Sequence, residues 1–241
     1  MNDQPHPFAV AVNILVFTIQ DDKIKLLLRQ RDKAPFRDRW VLPGGWVQSN
    51  ETLPEAAVRT LREQTNITTA GTLRGKPLSQ FRSYYEPQRY PRRNVTTIVY
   101  WAIVTHSELA KALVDSPQTA ATWPYKTIDR GRIDLAFDHK RIIREGLKRT
   151  RRRLEGTTVA TRFLPKRFTI SDLRRVYELM WDTTDIDPGN FQRKVLKCQD
   201  FLKTTTDKRP SLSSGPPATL YTAGPARFLT STIVMPNQGW L

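Results

Sequence analysis

The segment from Trp40 to Ile67 constrains the fold more than any other part of this 241-residue chain. It begins with Trp-Val-Leu-Pro-Gly-Gly, and the two glycines allow a tight turn to which a ligand can approach closely. Thr52, Pro54 and Glu55 follow in a capping-box pattern with proline in the first turn. The segment therefore predicts a glycine turn that leads into a helix ending near Thr65.

The rest of the first 130 residues alternates between strand and helix patterns. Val10–Ile19 and Ile24–Arg29 are β-rich runs joined by a short polar turn, which predicts a hairpin, and Val95–Val104 is a further strand. Ser107–Val114 and Ala136–Leu154 have helical patterns. We therefore predict a mixed α/β domain.

The spacing within Trp40–Ile67 resembles the signature of the Nudix family, G-x5-E-x7-R-E-U-x-E-E-x-G-U, where U is aliphatic. The positions that match it are Gly45, Glu51, Arg59, Leu61, Glu63 and Ile67. The resemblance implies a Nudix-like α/β/α sandwich with a mixed sheet, in which helix carboxylates hold divalent cations against a diphosphate. It also implies that Glu51 and Arg59 pair and hold the loop against the helix.

Two positions of the signature depart from the family. Where the family carries glutamates that are its principal metal ligands, this chain has Thr60 and Gln64. A hydroxyl and an amide are neutral, so the site lacks two charges that a hard Mg²⁺ ion requires. We expect this domain to bind a nucleotide diphosphate without cleaving it, with no metal or cofactor required. Weak residual hydrolysis supported by Glu63, and a Nudix fold without any ligand, remain alternatives.

Candidate effector-binding residues lie beside the glycine turn, on the helix and on the next strand. An arginine can form a bidentate hydrogen bond with a phosphate, and an aromatic ring can stack on adenine. Trp40 is equally consistent with core packing. The candidates are Arg39, Trp40, Gly44, Gly45, Arg59, Glu63, Phe81 and Arg82, with Tyr84 beside them.

After residue 156 the pattern changes to helix, turn, helix and two short strands. Ser171–Trp181 carries an apolar stripe, and Asp187–Lys203 follows it as a second helix after a polar turn. Phe201–Thr206 and Ala218–Thr222 are strand candidates around a loop rich in Pro and Ser. This order predicts a winged helix-turn-helix in which Asp187–Lys203 is the recognition helix in the DNA major groove.

The candidate DNA-binding residues lie before the first of these helices, on the outer face of the second and on the wing. Arginine reads guanine and asparagine reads adenine, whereas lysine mostly contacts phosphate. They are Lys166, Arg167, Thr169, Asn190, Arg193, Lys194, Lys197, Lys208 and Arg209.

The charge of the chain is strongly basic, with 39 Lys and Arg against 23 Asp and Glu. This excess fits nucleic acid, an acidic membrane surface or simple solubility. Residues 140–167 are its steepest part, with 11 basic and two acidic residues. The single cysteine excludes a disulfide framework and a multi-cysteine metal site. With no signal peptide pattern and no apolar run long enough to span a bilayer, we expect a cytoplasmic protein with no membrane partner.

Taken together, the altered Nudix motif, Leu135–His139 before a long helix, Leu164–Ile170 and Asn190-Phe191 resemble the Nudix-related transcriptional regulators of bacteria. The resemblance implies a homodimeric repressor of NAD-metabolism genes, associated with the nucleoid, that binds a palindromic operator in double-stranded DNA. It also implies that ADP-ribose or a related nucleotide releases the operator.

The expected fold class is α+β, and three parts follow along the chain. They are a Nudix-like domain at 1–155 that includes a linker helix at 136–155, a winged helix domain at 156–224 and an extension at 225–241. Two other functions remain open at this point. One is a Mg²⁺-dependent hydrolase of ADP-ribose or nucleoside diphosphates with a regulatory appendage that binds nucleic acid, and the other is an RNA-processing Nudix protein.

Overall fold

The computed structural model describes residues 8–68, 78–87, 89–91, 93–114, 119–210 and 216–235. The chain forms two compact units, Met1–Gly146 and Leu147–Leu241, hereafter the first and second units. The division falls within the predicted linker helix rather than at its end.

A seven-stranded mixed sheet forms the centre of the first unit. Its longest strand, β1, pairs parallel with β6 and antiparallel with β2 and β4. The predicted hairpin is present, and its turn residues Asp21 and Asp22 both have positive φ. The strands are β1 Ala9–Gln20, β2 Lys23–Gln30, β3 Trp40–Val41, β4 Gly44–Trp46, β5 Ser79–Tyr84, β6 Val95–Ile103 and β7 Ala120–Pro124.

Helices cover both faces of this sheet, because the side chains of β1 alternate between them. Val12 and Ile14 pack in one cluster with Leu61 and Leu109. On the other face Gly146 approaches Leu15 so closely that a Cβ would lie 2.5 Å from its Cδ1. The predicted sandwich with a mixed sheet is confirmed. The helices are α1 Leu53–Thr65, α2 His106–Val114, α3 Tyr125–Asp129 and α4 His139–Gly156.

Helix α1 begins and ends as the sequence predicts. The side chain of Thr52 accepts a hydrogen bond from the Glu55 amide, and the Glu55 carboxylate accepts one from the Thr52 amide. Asn66 ends the helix in the left-handed conformation, with φ of 55°. Both ends of the helix are therefore satisfied by local side chains and backbone.

The second unit has a helical core followed by a two-stranded antiparallel hairpin. The predicted apolar stripe of its first long helix is buried, and the Tyr177 ring contacts Phe191 at 5.3 Å between centroids. Cys198 is a small buried residue, as expected. The elements are a 3-10 helix Thr158–Phe163, α5 Ile170–Trp181, α6 Pro188–Lys197, β8 Leu202–Arg209 and β9 Ala218–Ala223.

The recognition helix is shorter than predicted: α6 ends at Lys197, not at Lys203. Cys198 has extended backbone, with ψ of 110°, and its amide bonds to the carbonyl of Val195. The helical spacing of apolar residues continues through Leu202, but that residue already belongs to β8. The row of inward-facing apolar residues therefore continues across a turn. Periodicity alone cannot distinguish this arrangement from a longer helix.

The described part of the predicted C-terminal extension packs within the second unit. Leu229 and Ile233 donate backbone hydrogen bonds to Gly156 and Glu155, each at 2.9 Å, and Ile233 is buried. Residues 236–241 lie outside the described part. No helix in the described ranges is both long enough and apolar enough to span a bilayer.

Candidate functional site

A cleft of about 630 Å³ opens in the first unit in front of β4. This volume is within the usual range for small-molecule sites. The residues that characterise its lining are two glycines, four basic side chains and three aromatic rings: Gly44, Gly45, Arg29, Arg31, Lys33, Arg89, Trp46, Tyr90 and Phe137.

The aromatic part of the cleft is a contiguous cluster of rings. Tyr90 and Phe137 are stacked, with centroids 5.5 Å apart and planes inclined by 16°. Trp46 meets Tyr90 edge to face, also at 5.5 Å, and remains 42% exposed. The Arg31 guanidinium lies 5.3 Å from the Phe137 centroid. A partly exposed aromatic cluster of this kind can receive the planar base of a nucleotide by stacking or by edge-to-face contact.

The most enclosed cation of the cleft is Arg89, whose side chain is 5% exposed. Its guanidinium donates two hydrogen bonds to Asp138, at 2.6 and 3.0 Å, and a third to Thr97 at 2.7 Å. These contacts fix the plane of the guanidinium at the wall of the cleft, where it can meet a phosphate with little loss of side-chain entropy.

His139 lies at the start of α4 and is one of the residues that line the cleft. Its Nδ1 accepts a hydrogen bond from the Leu42 amide at 3.0 Å. Burial lowers the pKa of this imidazole to about 3, and the nearby charges of Arg89 and Arg31 act in the same direction. His139 is therefore neutral at ordinary pH and serves as a hydrogen-bond acceptor that joins the helix start to the cleft.

Residues Gly44–Trp46, which form β4 and are called the glycine loop below, are held by Arg59 of helix α1. Arg59 donates to Glu51 at 2.6 and 2.8 Å, to Glu63 at 3.1 Å and to the Trp46 carbonyl at 3.0 Å. The hydrogen bonds and charge of Arg59 lower the pKa of Glu51 to about 2. The pairing of Glu51 with Arg59 is the one that the Nudix resemblance implies.

The side chains present do not fit a divalent cation. Thr60 is buried and Gln64 is engaged with the backbone of Gly44. Glu63, the carboxylate between them, is paired with Arg59. Among the described residues no cluster of His, Cys, Asp and Glu is arranged to hold a metal ion. Nearby positive charge and two neutral side chains are unfavourable for Mg²⁺, which prefers carboxylate oxygens.

The candidate effector residues separate into two groups. Gly44, Gly45 and Glu63 line the cleft, and Arg59 holds its glycine loop. The other four lie outside the lining and have other contacts. Arg39 lies over the Phe36 ring, Trp40 meets the edge of Trp123, Phe81 is buried near Tyr84, and Arg82 pairs with Glu145.

Arg89, Tyr90 and Phe137 are among the cleft residues that the sequence analysis did not propose, as are Arg29, Arg31 and Lys33. Arg89 and Tyr90 lie between β5 and β6, and Phe137 lies just before α4. No local pattern marks them, because only the folded sheet brings these segments to β4. The left-handed backbone of Phe137, with φ of 56°, is also invisible in the sequence.

In the second unit, α6 presents a positively charged outer face. Asn190, Arg193, Lys194 and Lys197 are exposed, and Arg193 donates a hydrogen bond to the Asn190 side chain at 2.5 Å. Asp187 caps the helix by accepting from the Asn190 amide. This surface can reach base edges and phosphates of a duplex.

The remaining candidate DNA-binding residues lie before α5 and after α6 in the sequence. Lys166 and Lys208 are exposed, whereas Arg167 pairs with Asp207 at 2.8 Å and Arg209 pairs with Asp172 at 2.9 Å. Thr169 is buried at the N-cap of α5, where its hydroxyl accepts from the Asp172 amide. The Thr169 hydroxyl therefore has a structural role in capping.

Comparison with known proteins matches each unit to a family. Residues 7–145 match the NUDIX domain family, and residues 160–223 match the NrtR DNA-binding winged helix domain. The chain is similar to the ADPR responsive transcriptional repressor NtrR of Acinetobacter baylyi, with 26% identity over 223 residues that cover 91% of this chain and 83% of that protein. It is also similar to the ADP-ribose pyrophosphatase of Methanocaldococcus jannaschii, with 34% identity over 143 residues covering 59% of this chain and 75% of that enzyme.

Solved structures give the same two-part match. The crystal structure of Shewanella oneidensis NrtR complexed with a 27mer DNA is similar with a TM-score of 0.80 and 26% identity, covering 93% of this chain and 99% of that chain. The NUDIX domain of the same protein complexed with ADP ribose has a TM-score of 0.51 and 27% identity, covering 62% of this chain and 94% of that chain.

Proposed function

Because the chain belongs to the Nudix family and continues into an NrtR-type winged helix domain, we propose that it is a DNA-binding transcriptional repressor that responds to ADP-ribose. The observation that carries this proposal is the change in the motif helix. Thr60 and Gln64 are neutral and packed against the glycine loop, while the cleft in front of them keeps four basic side chains. Such a site is suited to holding a diphosphate and poorly suited to hydrolysing it.

ADP-ribose has chemistry that matches the two parts of the cleft. Its diphosphate is an anion for Arg29, Arg31, Lys33 and Arg89. Its adenine is a planar ring for the aromatic cluster around Phe137. The similarity to a repressor named for its response to ADPR supports this effector.

The DNA-binding part of the proposal rests on α6 and the hairpin that follows it. A helix of ten residues with exposed Asn190, Arg193, Lys194 and Lys197 is suited to the major groove. We propose that two copies of the chain bind a palindromic operator, with half-sites about one helical turn apart. The operators would control NAD-metabolism genes in the bacterial cytoplasm, and the effector would favour the state that no longer fits them.

The test is a gel shift on promoters of NAD-metabolism genes, with and without ADP-ribose. We expect a shifted complex whose size corresponds to two protein chains per operator, and we expect ADP-ribose to dissociate the protein from the DNA. AMP and ribose 5-phosphate serve as matched ligands that each lack half of the effector. A complex that ADP-ribose leaves unchanged would contradict the assigned effector, and no operator-specific complex would contradict the repressor function.

A second function, a metal-dependent ADP-ribose hydrolase, is favoured by the similarity to the archaeal pyrophosphatase. Its test is hydrolysis of ADP-ribose with Mg²⁺ or Mn²⁺ by the wild type and by the double variant Thr60→Glu/Gln64→Glu. We expect the wild type to lack turnover at ordinary enzyme rates, because the two neutral side chains replace carboxylates. Turnover by the wild type at such rates would establish the hydrolase instead.

A further inference from the structure

We infer that Gln64 replaces a divalent cation as the group that holds the glycine loop, so that the cleft binds its diphosphate ligand without metal. The Gln64 Oε1 accepts from the Gly44 amide at 3.0 Å, and its Nε2 donates to the Gly44 carbonyl at 2.8 Å. One side chain thus satisfies both polar groups of the same residue. An amide side chain can make both bonds, whereas an ionised carboxylate has no proton to donate to the Gly44 carbonyl.

The neighbours of Gln64 extend this clamp along β4. Arg59 donates to the carbonyl of Trp46, two residues after Gly44. Between them, Thr60 packs directly beneath Gly45, where a Cβ would lie 3.1 Å from the Thr60 Oγ1. Three residues of one face of α1 therefore hold three successive residues of the loop.

The opposite side of the loop is equally closed. A Cβ on Gly44 would lie 2.8 Å from the backbone carbonyl oxygen of Val12 and 2.0 Å from the Asn13 side chain, so a larger residue would require the backbone to shift. Asn13 and Val12 pair with Gly44 and Gly45 in the ladder between β1 and β4. The Gly44 peptide is thus fixed between β1 and the Gln64 amide, with its position determined by protein groups alone.

A bound cation in a phosphate site supplies two things, an ordered loop and positive charge against the phosphates. In this chain the Gln64 clamp supplies the first. The second comes from the four basic side chains that line the same cleft, which outnumber its two carboxylates, Asp32 and Glu63. Thr60 and Gln64 also remove two carboxylates that would repel an anionic ligand in the absence of metal. Metal-free binding is therefore the state to which this set of side chains is adapted.

The clamp is testable in the ligand-free protein by hydrogen exchange at the Gly44 amide. The variants are Gln64→Glu, which loses the donor, and Gln64→Leu, which loses both bonds without adding charge. The matched control is Arg62→Gln, an exposed position on the same helix that changes the net charge by the same amount as Gln64→Glu. We expect exchange at Gly44 to accelerate about tenfold or more in Gln64→Leu, which has lost the acceptor of the Gly44 amide. The acceleration should be smaller in Gln64→Glu, whose carboxylate can still accept from that amide, and the control should exchange at the wild-type rate. Equal protection in all four proteins would overturn the clamp.

The second measurement is calorimetric titration with ADP-ribose in EDTA and in Mg²⁺, and this part rests on the proposed function. We expect the wild-type dissociation constant to agree within about twofold between the two buffers. In EDTA we expect Gln64→Glu to bind about tenfold more weakly than Arg62→Gln. Wild-type binding that appears only with Mg²⁺ would overturn the inference. If the wild type binds no ADP-ribose in either buffer, the proposed effector is wrong, whereas the exchange data still decide whether the clamp exists.

Discussion

The cleft of the first unit and helix α6 of the second unit hold their basic side chains in different ways. In the cleft of the first unit, Arg89 is 5% exposed and fixed by Asp138, and Arg29 pairs with Asp32. On α6 of the second unit, Lys194 and Lys197 are exposed, and neither forms an ion pair within the described residues. The helix itself contains no acidic residue. The same kind of charge is therefore oriented in advance in the cleft and left available on α6.

This difference corresponds to the difference between a small enclosed anion and a long polyanion. A diphosphate in a cleft meets few groups, so those groups bind best when their orientation is already fixed. A duplex presents many phosphates, and binding gains from the release of counterions by exposed cations that no carboxylate has neutralised. The net charge of +16 thus serves two types of anion.

The largest effect that would test this comparison is the loss of the free cations of α6. We expect Arg193→Ala/Lys194→Ala to weaken operator binding on the order of a hundredfold, because one base contact and one phosphate contact are lost. ADP-ribose binding should be unchanged. Gel shift over a series of salt concentrations measures the first, and calorimetry measures the second.

The control for charge is Lys111→Ala, an exposed lysine on α2 of the first unit. It should leave operator affinity near the wild-type value. Operator binding that survives the double variant would remove α6 from the DNA interface, and with it the contrast between the two units.

A smaller effect concerns the pH sensitivity of the cleft wall. The pKa of His139 is about 3 in the folded protein and about 6.5 when the chain is unfolded. Below pH 6.5 the unfolded state therefore binds a proton at His139 that the folded state does not bind. The free energy of unfolding is highest above pH 6.5 and decreases as the pH falls towards 3. By pH 5 the loss amounts to about 2 kcal/mol in the free energy of unfolding, and it continues to grow towards pH 3.

The variant His139→Gln should remove this slope between pH 7 and pH 5, as measured by urea unfolding. His106→Gln is the control, because His106 is exposed on α2. All three histidines of the chain lie in the first unit, so acid sensitivity in this range should be confined to that unit. An unchanged slope in His139→Gln would show that the buried imidazole does not determine it.

Features set by neighbouring residues could be predicted from the sequence. The capping box of α1, the left-handed Asn66 and the pairing of Glu51 with Arg59 depend on residues within one short segment, and all are present. The apolar stripe of α5 followed from helical periodicity in the same way. The end of α6 did not, because inward-facing apolar residues continue at helical spacing across the turn at Cys198.

The cleft could be predicted only in part, because its walls come from distant segments. Gly44, Gly45 and Glu63 belong to the motif and line it. Arg89 reaches it from the segment between β5 and β6, and its partner Asp138 stands 49 residues later. The sequence identifies Gln64 as a position at which a metal-binding glutamate is absent. Its two hydrogen bonds to Gly44, however, depend on the distance between α1 and β4. Such contacts are tertiary and leave no periodic signal.

The smallest expected effect separates orientation from charge at the cleft wall. Asp138 fixes the Arg89 guanidinium but also places a negative charge beside the cation that we propose to meet the diphosphate. Asp138→Asn keeps one acceptor and removes the charge, so we expect ADP-ribose to bind about threefold more tightly at low salt. Asp138→Ala removes the acceptor as well, and its affinity should fall below that of Asp138→Asn because Arg89 loses its fixed plane.

The matched control is Asp129→Asn, which removes a carboxylate paired with Arg144 away from the cleft lining. It should leave the dissociation constant unchanged in calorimetry. If Asp138→Asn instead weakens ADP-ribose binding as much as Asp138→Ala does, then the carboxylate strengthens binding by orienting Arg89 more than its negative charge weakens it. The pairing of cations in the first unit would then be a requirement for effector binding rather than only a means of keeping buried charges compensated.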